Sequence, residues 1–320
     1  MPKATVRVLL GWLIVTSWVV AARAADEANF TRKEDVIYGR KYGMALTLDV
    51  FTPRKDANGA AVIFAVSGGF FSSHEAINLN FFKELLNRGY TVFAVVHGSQ
   101  PKFTIPEIIE DMNRAVRFIR YHARDYGIDP HRIGITGGSA GGHLSLMQGA
   151  AGKDGDAKAK DPIDRLSSRV QAVACFFPAS DFLNYGDKGI EALGTGRLSA
   201  FKAPFDFQVL NKETRSFVLI TDPEKRREIG RQISPIYHVT RTAAPTLIIH
   251  GDADRLVPIQ QAQIFIAKLK EEGVPAELVV KPGYGHGWLN MGNDMKTIAD
   301  WFDKYLKMNG NQQAPRQSGG

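Results

Sequence analysis

Short apolar runs alternate along this chain with longer stretches in which apolar residues return every three or four positions. Runs at 60–66, 90–96, 132–136, 170–177, 245–250 and 276–281 have strand length and are flanked by turn-forming residues. The stretches at 77–87, 105–126, 140–151 and 259–272, and a last one from about 294 to 308, carry the helical period. The best marked of these begins after Thr104. Ile105, Ile108, Ile109, Met112, Ala115, Val116 and Ile119 fall on one helical face, Thr104 and Glu107 make a capping box, and Pro106 occupies the first turn, where a missing N–H costs nothing. Strand regularly followed by helix predicts an α/β fold, a mostly parallel sheet with helices on both faces. Ahead of it, 35–38 and 45–51 read as two strands joined by a Gly-containing turn, an antiparallel start to the sheet.

Two stretches interrupt the alternation. Residues 153–169 are rich in Lys, Asp and Gly and read as a solvated loop. Residues 181–233 separate consecutive strands by far more than an ordinary connection, and carry Phe182, Tyr185, Phe201, Phe205, Phe207 and Phe217. That aromatic content predicts a folded, cap-like insertion over the C-terminal edge of the sheet. Residues 309–320 have no apolar pattern and are expected to be disordered. The domain is therefore expected over 25–308.

Composition narrows the picture modestly. With 44% hydrophobic and 23% charged residues, the chain is globular in make-up. Residues 1–24 show the layout of a secretory leader: Lys3 and Arg7, an apolar run over 8–20, then Ala22-Arg23-Ala24 as a cleavage site. A secreted or periplasmic protein is expected, with no stable membrane insertion after cleavage, since the run is short for a bilayer. Of 40 basic and 33 acidic residues, Lys3, Arg7 and Arg23 would leave with the leader, so 37 minus 33 gives +4. Basic residues are scattered, which argues against a nucleic-acid partner. Cys175, alone in its type, lies in the apolar run 170–177 and is expected to be a buried small hydrophobe.

The chemistry concentrates in four motifs. Gly137-Gly138-Ser139-Ala140-Gly141 joins a predicted strand to a predicted helix, the setting in which G-x-S-x-G forms a nucleophile elbow. The glycines leave room for a strained turn that thrusts Ser139 outward, and the helix N-terminus adds positive potential where an oxyanion would form. His286, between Gly285 and Gly287 after the penultimate strand-like segment, is placed to act as its base. Asp254, in His250-Gly251-Asp252-Ala253-Asp254, is placed to orient that base, although Asp181 and Asp252 also follow strands and remain alternatives. The order Ser, acid, His is that of the α/β-hydrolases. Val66-Ser67-Gly68-Gly69-Phe70 follows the first parallel strand, and its Gly68 and Gly69 N–H groups, with that of Ala140, are candidate oxyanion donors. Clustered ligands for a metal are lacking in the sequence pattern, and no cofactor is expected.

Together these motifs resemble α/β-hydrolase-fold esterases, specifically the branch of hormone-sensitive-lipase-like and feruloyl- and acetyl-xylan-esterase-like enzymes, over about residues 35–308. The resemblance implies a serine hydrolase of carboxylic esters working through an acyl-enzyme, on small-molecule or carbohydrate esters such as acetyl or feruloyl esters. It implies Ser139 as nucleophile, His286 as base, Asp254 as orienter, and Gly68, Gly69 and Ala140 as oxyanion donors. Two departures stand out: the family's His-Gly-Gly-Gly reads Val66-Ser67-Gly68-Gly69 here, and its Tyr-Arg-Leu-Ala-Pro is replaced by His97-Gly98-Ser99-Gln100-Pro101. A prolyl-oligopeptidase-type serine peptidase and a non-catalytic binding module on a hydrolase fold are the alternatives.

Overall fold

Each apolar run emerges as a strand of one eight-stranded sheet. The computed structural model describes residues 29–307; the expected leader at 1–24 and tail at 309–320 lie outside them. The strands are β1 (Phe30–Lys41), β2 (Met44–Pro53), β3 (Ala61–Val66), β4 (Thr91–Val96), β5 (Ile133–Thr136), β6 (Ala172–Phe176), β9 (Thr246–Gly251) and β10 (Ala276–Lys281), with a separate hairpin of β7 (Gln208–Asn211) and β8 (Ser216–Leu219). The spatial order is β1-β2-β4-β3-β5-β6-β9-β10. β1 pairs antiparallel with β2, and β2 with β4, while every later pair in the sheet is parallel. The central strands β3, β5, β6 and β9 are buried along their whole length, as a sheet covered on both faces requires.

The helices are α1 (Lys83–Asn87), α2 (Ile105–Tyr121), α3 (Ala140–Ala151), α4 (Pro223–Gln232), α5 (Gln260–Glu271) and α6 (Met291–Leu306). All seven apolar residues picked out on α2 are buried, and the Glu107 carboxylate accepts from the Thr104 N–H at 2.9 Å. Burying each of the larger side chains contributes about 2 kcal/mol. The stretch 77–87, expected as one helix, is instead a 3₁₀ turn at Leu79–Phe81 followed by the short α1. The cause is Asn78, whose side chain accepts from the Asn80 N–H at 3.0 Å and so diverts the backbone from a helix start at Ile77. Residues 153–169 are more than a solvated loop, because Arg114 of α2 holds Asp161 and Asp164 at 2.7 and 2.9 Å.

The segment between β6 and β9 carries the hairpin β7–β8 and α4. Its two ends are clasped together: the Ile236 N–H donates to the Ser180 carbonyl at 3.2 Å, and the Phe182 N–H to Ser234 Oγ at 3.0 Å. Gln261 at the start of α5 fixes this clasp, its Oε1 accepting from the N–H groups of Ser180 and Asp181 at 2.9 and 2.7 Å. Phe182, Tyr185, Phe205 and Phe207 are buried in the same apolar cluster as α2 and α3, so the insertion is packed onto the sheet domain. Phe217 departs from this pattern; it is 56% exposed on β8. Among the described residues no helix is long and apolar enough to cross a membrane.

Candidate active site

The site forms where β5 turns into α3. Ser139 has φ 54° and ψ −117°, a conformation that costs a non-glycine residue about 1–3 kcal/mol and is held by the packing around it. Its N–H donates to the Phe176 carbonyl at 3.0 Å. The turn demands close approach of backbone to backbone: a Cβ on Gly141 would lie 2.6 Å from the Ala65 carbonyl oxygen, and one on Gly142 would lie 2.7 Å from that of Phe176. This is why small residues surround the serine.

Ser139, His286 and Asp254 stand in one hydrogen-bonded row. Ser139 Oγ lies 2.8 Å from His286 Nε2, and His286 Nδ1 lies 2.7 Å from Asp254 Oδ2. Asp254 Oδ1 accepts from the N–H groups of Leu256 and Val257, both at 2.9 Å. A second ring shares the carboxylate: His250 Nε2 lies 3.2 Å from Asp254 Oδ2 and 2.9 Å from the Val257 carbonyl, so this nitrogen carries the proton. Burial opposes charge on Asp254, but hydrogen bonds from His250 and His286, the His286 ring and the Val257 N–H together hold its carboxyl well below the usual carboxylate range. The His286 ring packs on Phe177, with ring centroids 4.5 Å apart. Trp288, two residues on, donates to Asp294 of α6 at 2.7 Å and fastens the loop.

The other carboxylates have different partners. Asp252 accepts from the Gly283 N–H at 2.6 Å and holds the turn. Asp181 accepts from Leu183 and Asn184 of the insertion and from Tyr237 just beyond it. His143 lies under the nucleophile, and its Nε2–H donates to the Ile233 carbonyl at 2.7 Å; burial pushes its pKa down to about 4 and keeps it neutral.

One expected oxyanion donor is corrected. The Gly68 N–H donates to the Phe71 carbonyl at 3.0 Å, and Phe71 returns the bond at 2.9 Å, so Gly68 is committed to a local turn. The N–H groups of Gly69 and Ala140 have no backbone acceptor among the described residues. The loop that presents Gly69 is held by groups the sequence pattern did not reveal. The Ser67 hydroxyl donates to His97 Nε2 at 2.8 Å, His97 Nδ1–H donates to the Gly98 carbonyl at 2.9 Å, and Gln100 Nε2 donates to the Gly69 carbonyl at 2.6 Å. Burial lowers the His97 pKa to about 4, so the ring is neutral and can accept from Ser67. The two departures from the family motifs are therefore in contact with each other.

Cys175 is buried in β6, and burial pushes its thiol up, away from reactivity. Away from the site, Glu34, Asp49 and His74 come within metal-ligand spacing, a grouping spread too far along the chain to be seen as a motif. Arg32 already occupies it, with contacts of 2.6 Å to Asp49 and 3.1 Å to Glu34. A groove of about 700 Å³ beside β1 and α2, lined by such pairs as Lys41 and Asp111, shares no residue with the site.

The chain is similar to proteins named as ester hydrolases. LipM of Mycobacterium tuberculosis, a probable carboxylic ester hydrolase, is 30% identical over 247 residues, 76% of this chain and 53% of LipM, so the chain spans about half the length of that relative. Among solved structures, a truncated carbohydrate esterase from gut microbiota superposes with a TM-score of 0.69 at 26% identity, covering 86% of this chain and 96% of that one. An acetyl ester-xyloside bifunctional hydrolase from Caldicellulosiruptor lactoaceticus shares the fold, with a TM-score of 0.67 at 22% identity over 84% of this chain and 95% of that one. The dienelactone hydrolase family matches residues 230–313, and the BD-FAE family matches 48–269, which contains Ser139, Asp254 and the Gly68-Gly69 loop. With that match across most of its length and a sheet order to suit, the chain belongs to the BD-FAE family and has the α/β-hydrolase fold.

Proposed function

We propose that this protein is a carboxylic ester hydrolase working through an acyl-enzyme on Ser139. The observation that carries the proposal is the row from Ser139 Oγ through His286 to Asp254 Oδ2, with contacts of 2.8 and 2.7 Å. His286 in its Nδ1–H form leaves Nε2 free to take the Ser139 proton as Oγ attacks the ester carbonyl. The resulting imidazolium is stabilised by Asp254, which remains charged because its own donors hold it so. The developing oxyanion is met by the N–H groups of Gly69 and Ala140 at the N-terminus of α3. His286 then gives its proton to the departing alkoxide, and a water activated by the same base releases the acid.

The expected substrates are esters of small acids, the acetyl half of what the family resemblance implies. The leader pattern at 1–24 supports a location outside the cytoplasm, which N-terminal sequencing of the mature protein tests. The central test is to incubate purified protein with phenyl acetate and with an organophosphonate. Ser139→Ala is expected to lose turnover by about a millionfold in kcat and to escape labelling, while keeping its fold. Labelling at another residue, or more than a few per cent residual activity, refutes the assignment. Amide analogues cleaved as fast as esters would move the reading to a peptidase.

A further inference from the structure

We infer that Phe201 of the cap divides the site into an acyl chamber sized for an acetyl group and a larger apolar chamber for an aryl or alkyl alcohol. This rests on the ester-hydrolase reading above and narrows it to short-chain esters of apolar alcohols. Ser139 lies between two cavities, one of about 560 Å³ and one of about 40 Å³. Gly69, Ser139, Phe201 and Leu256 border both. The Phe201 ring lies directly on Gly69, since a Cβ there would stand 2.4 Å from Phe201 Cε1. The cap thus contributes the partition itself, at the loop that presents an oxyanion donor.

Which half of the ester enters which chamber follows from proton transfer. The leaving oxygen must come within reach of His286 Nε2 to be protonated. His286 borders the larger cavity and is absent from the walls of the smaller one. With the carbonyl oxygen at Gly69 and Ala140, the remaining substituent of the acyl carbon points toward the smaller cavity, which Ala140 borders. At about 40 Å³ against about 560 Å³, the smaller chamber takes the shorter half of the ester, a methyl group in preference to a propyl chain. The larger chamber is walled by Phe64, Phe81, Phe176, Phe177 and Met291, and its Ser67 hydroxyl is already bonded to His97. A sugar placed against those rings would exchange water for few hydrogen-bond partners, whereas an apolar alcohol gives up none.

The test measures kcat/KM for phenyl acetate, butanoate and hexanoate, and for benzyl acetate against a singly acetylated glucose. Wild type is expected to prefer phenyl acetate over phenyl butanoate by at least tenfold, and benzyl acetate over the sugar ester by at least tenfold. Phe201→Ala should raise the butanoate-to-acetate ratio at least tenfold and leave the ratio between the two alcohols within about twofold. Phe201→Leu, a smaller truncation, should move the same ratio in the same direction and stands in if the alanine variant does not fold. Phe81→Ala should do the reverse, eroding the alcohol preference without shifting the acyl cut-off. Equal turnover of acetate and hexanoate by wild type, an unmoved acyl ratio in both Phe201 variants, preference for the sugar ester, or exchanged effects of Phe201 and Phe81 would overturn the inference while the hydrolase reading stands. Absence of turnover on every ester would sink that reading first.

Discussion

Replacing Asp254 by Asn tests the site at its least exposed point, because each carboxylate oxygen has a defined task. Oδ1 accepts two backbone N–H groups at 2.9 Å, while Oδ2 accepts His286 Nδ1–H at 2.7 Å and His250 Nε2–H at 3.2 Å. An asparagine has one acceptor and one donor where the aspartate has two acceptors. If its amide oxygen takes the Oδ1 position, the NH₂ group faces both rings. It then opposes His250 and stabilises the His286 tautomer whose Nε2 carries a proton, and that nitrogen can no longer accept from Ser139. If the amide is flipped, His286 keeps its tautomer but the Leu256 and Val257 N–H groups face a donor, a loss of about 1–3 kcal/mol for each unsatisfied group. The first arrangement leaves the backbone bonds intact and is favoured, so the variant should fold and bind ester while kcat drops about 10⁴-fold, or about 5.5 kcal/mol in the barrier. Steady-state hydrolysis of phenyl acetate measures this, with circular dichroism to show that the fold is kept. Asp252→Asn, in a turn contact to Gly283, should stay within a few-fold of wild type. Activity of Asp254→Asn above about 1% of wild type, or collapse of kcat in Asp181→Asn with its fold intact, would refute the reasoning.

Three further expectations are independent of that one. His97 and His143 are both held down at about 4 by burial, while an unfolded chain protonates histidine near 6.5. As pH falls below about 6.5 the unfolded state therefore binds protons that the folded state refuses, and stability is lost down to about pH 4. At about 1.4 kcal/mol per unit per group the pair removes about 4 kcal/mol between pH 7 and 5. Urea unfolding at the two pH values measures it, and a pH-independent free energy would contradict it. Gln100→Leu removes the donor to the Gly69 carbonyl and should lower kcat about 10- to 100-fold with the fold retained, read by ester hydrolysis; an unchanged kcat would remove Gln100 from any role in holding the loop. Prolonged EDTA treatment should leave ester hydrolysis unchanged, and inactivation reversed by a divalent cation would point to different chemistry.

The parts of the molecule legible in the sequence are those with a local cause. The periodicity of α2 and its capping box, the glycines of the elbow, and the succession of Ser139, Asp254 and His286 each depend on residues a few positions apart or on order along the chain. What escaped depends on contacts between distant segments. Ser67 and His97 meet across 30 positions, and Gly69 and Gln100 across 31, with nothing in either segment alone to announce the pairing. His250 looked like the end of a strand, yet the turn after β9 brings Asp254 back against it. The Gly68 N–H was lost to the candidate donors through a two-residue turn closed by Phe71, a backbone detail that an adjacent pair of glycines leaves open. The hairpin β7–β8 was missed because its residues are exposed on both faces and show no alternation to read.

The clasp of Ser180 and Phe182 with Ile236 and Ser234 has a consequence for how such a protein diversifies. It makes the cap a closed excursion whose ends stay fixed whatever lies between them. Closing a flexible loop becomes harder only logarithmically with length, by about 0.6 kcal/mol for each doubling. Changes of length or sequence between the clasped ends that keep the buried Tyr185, Phe205, Phe207 and Ile233 would therefore leave the sheet, the elbow and the row of Ser139, His286 and Asp254 almost untouched. Phe201 lies within that exchangeable stretch, so a lineage can try new partitions over an unchanged nucleophile, and selectivity can drift while the chemistry is inherited intact.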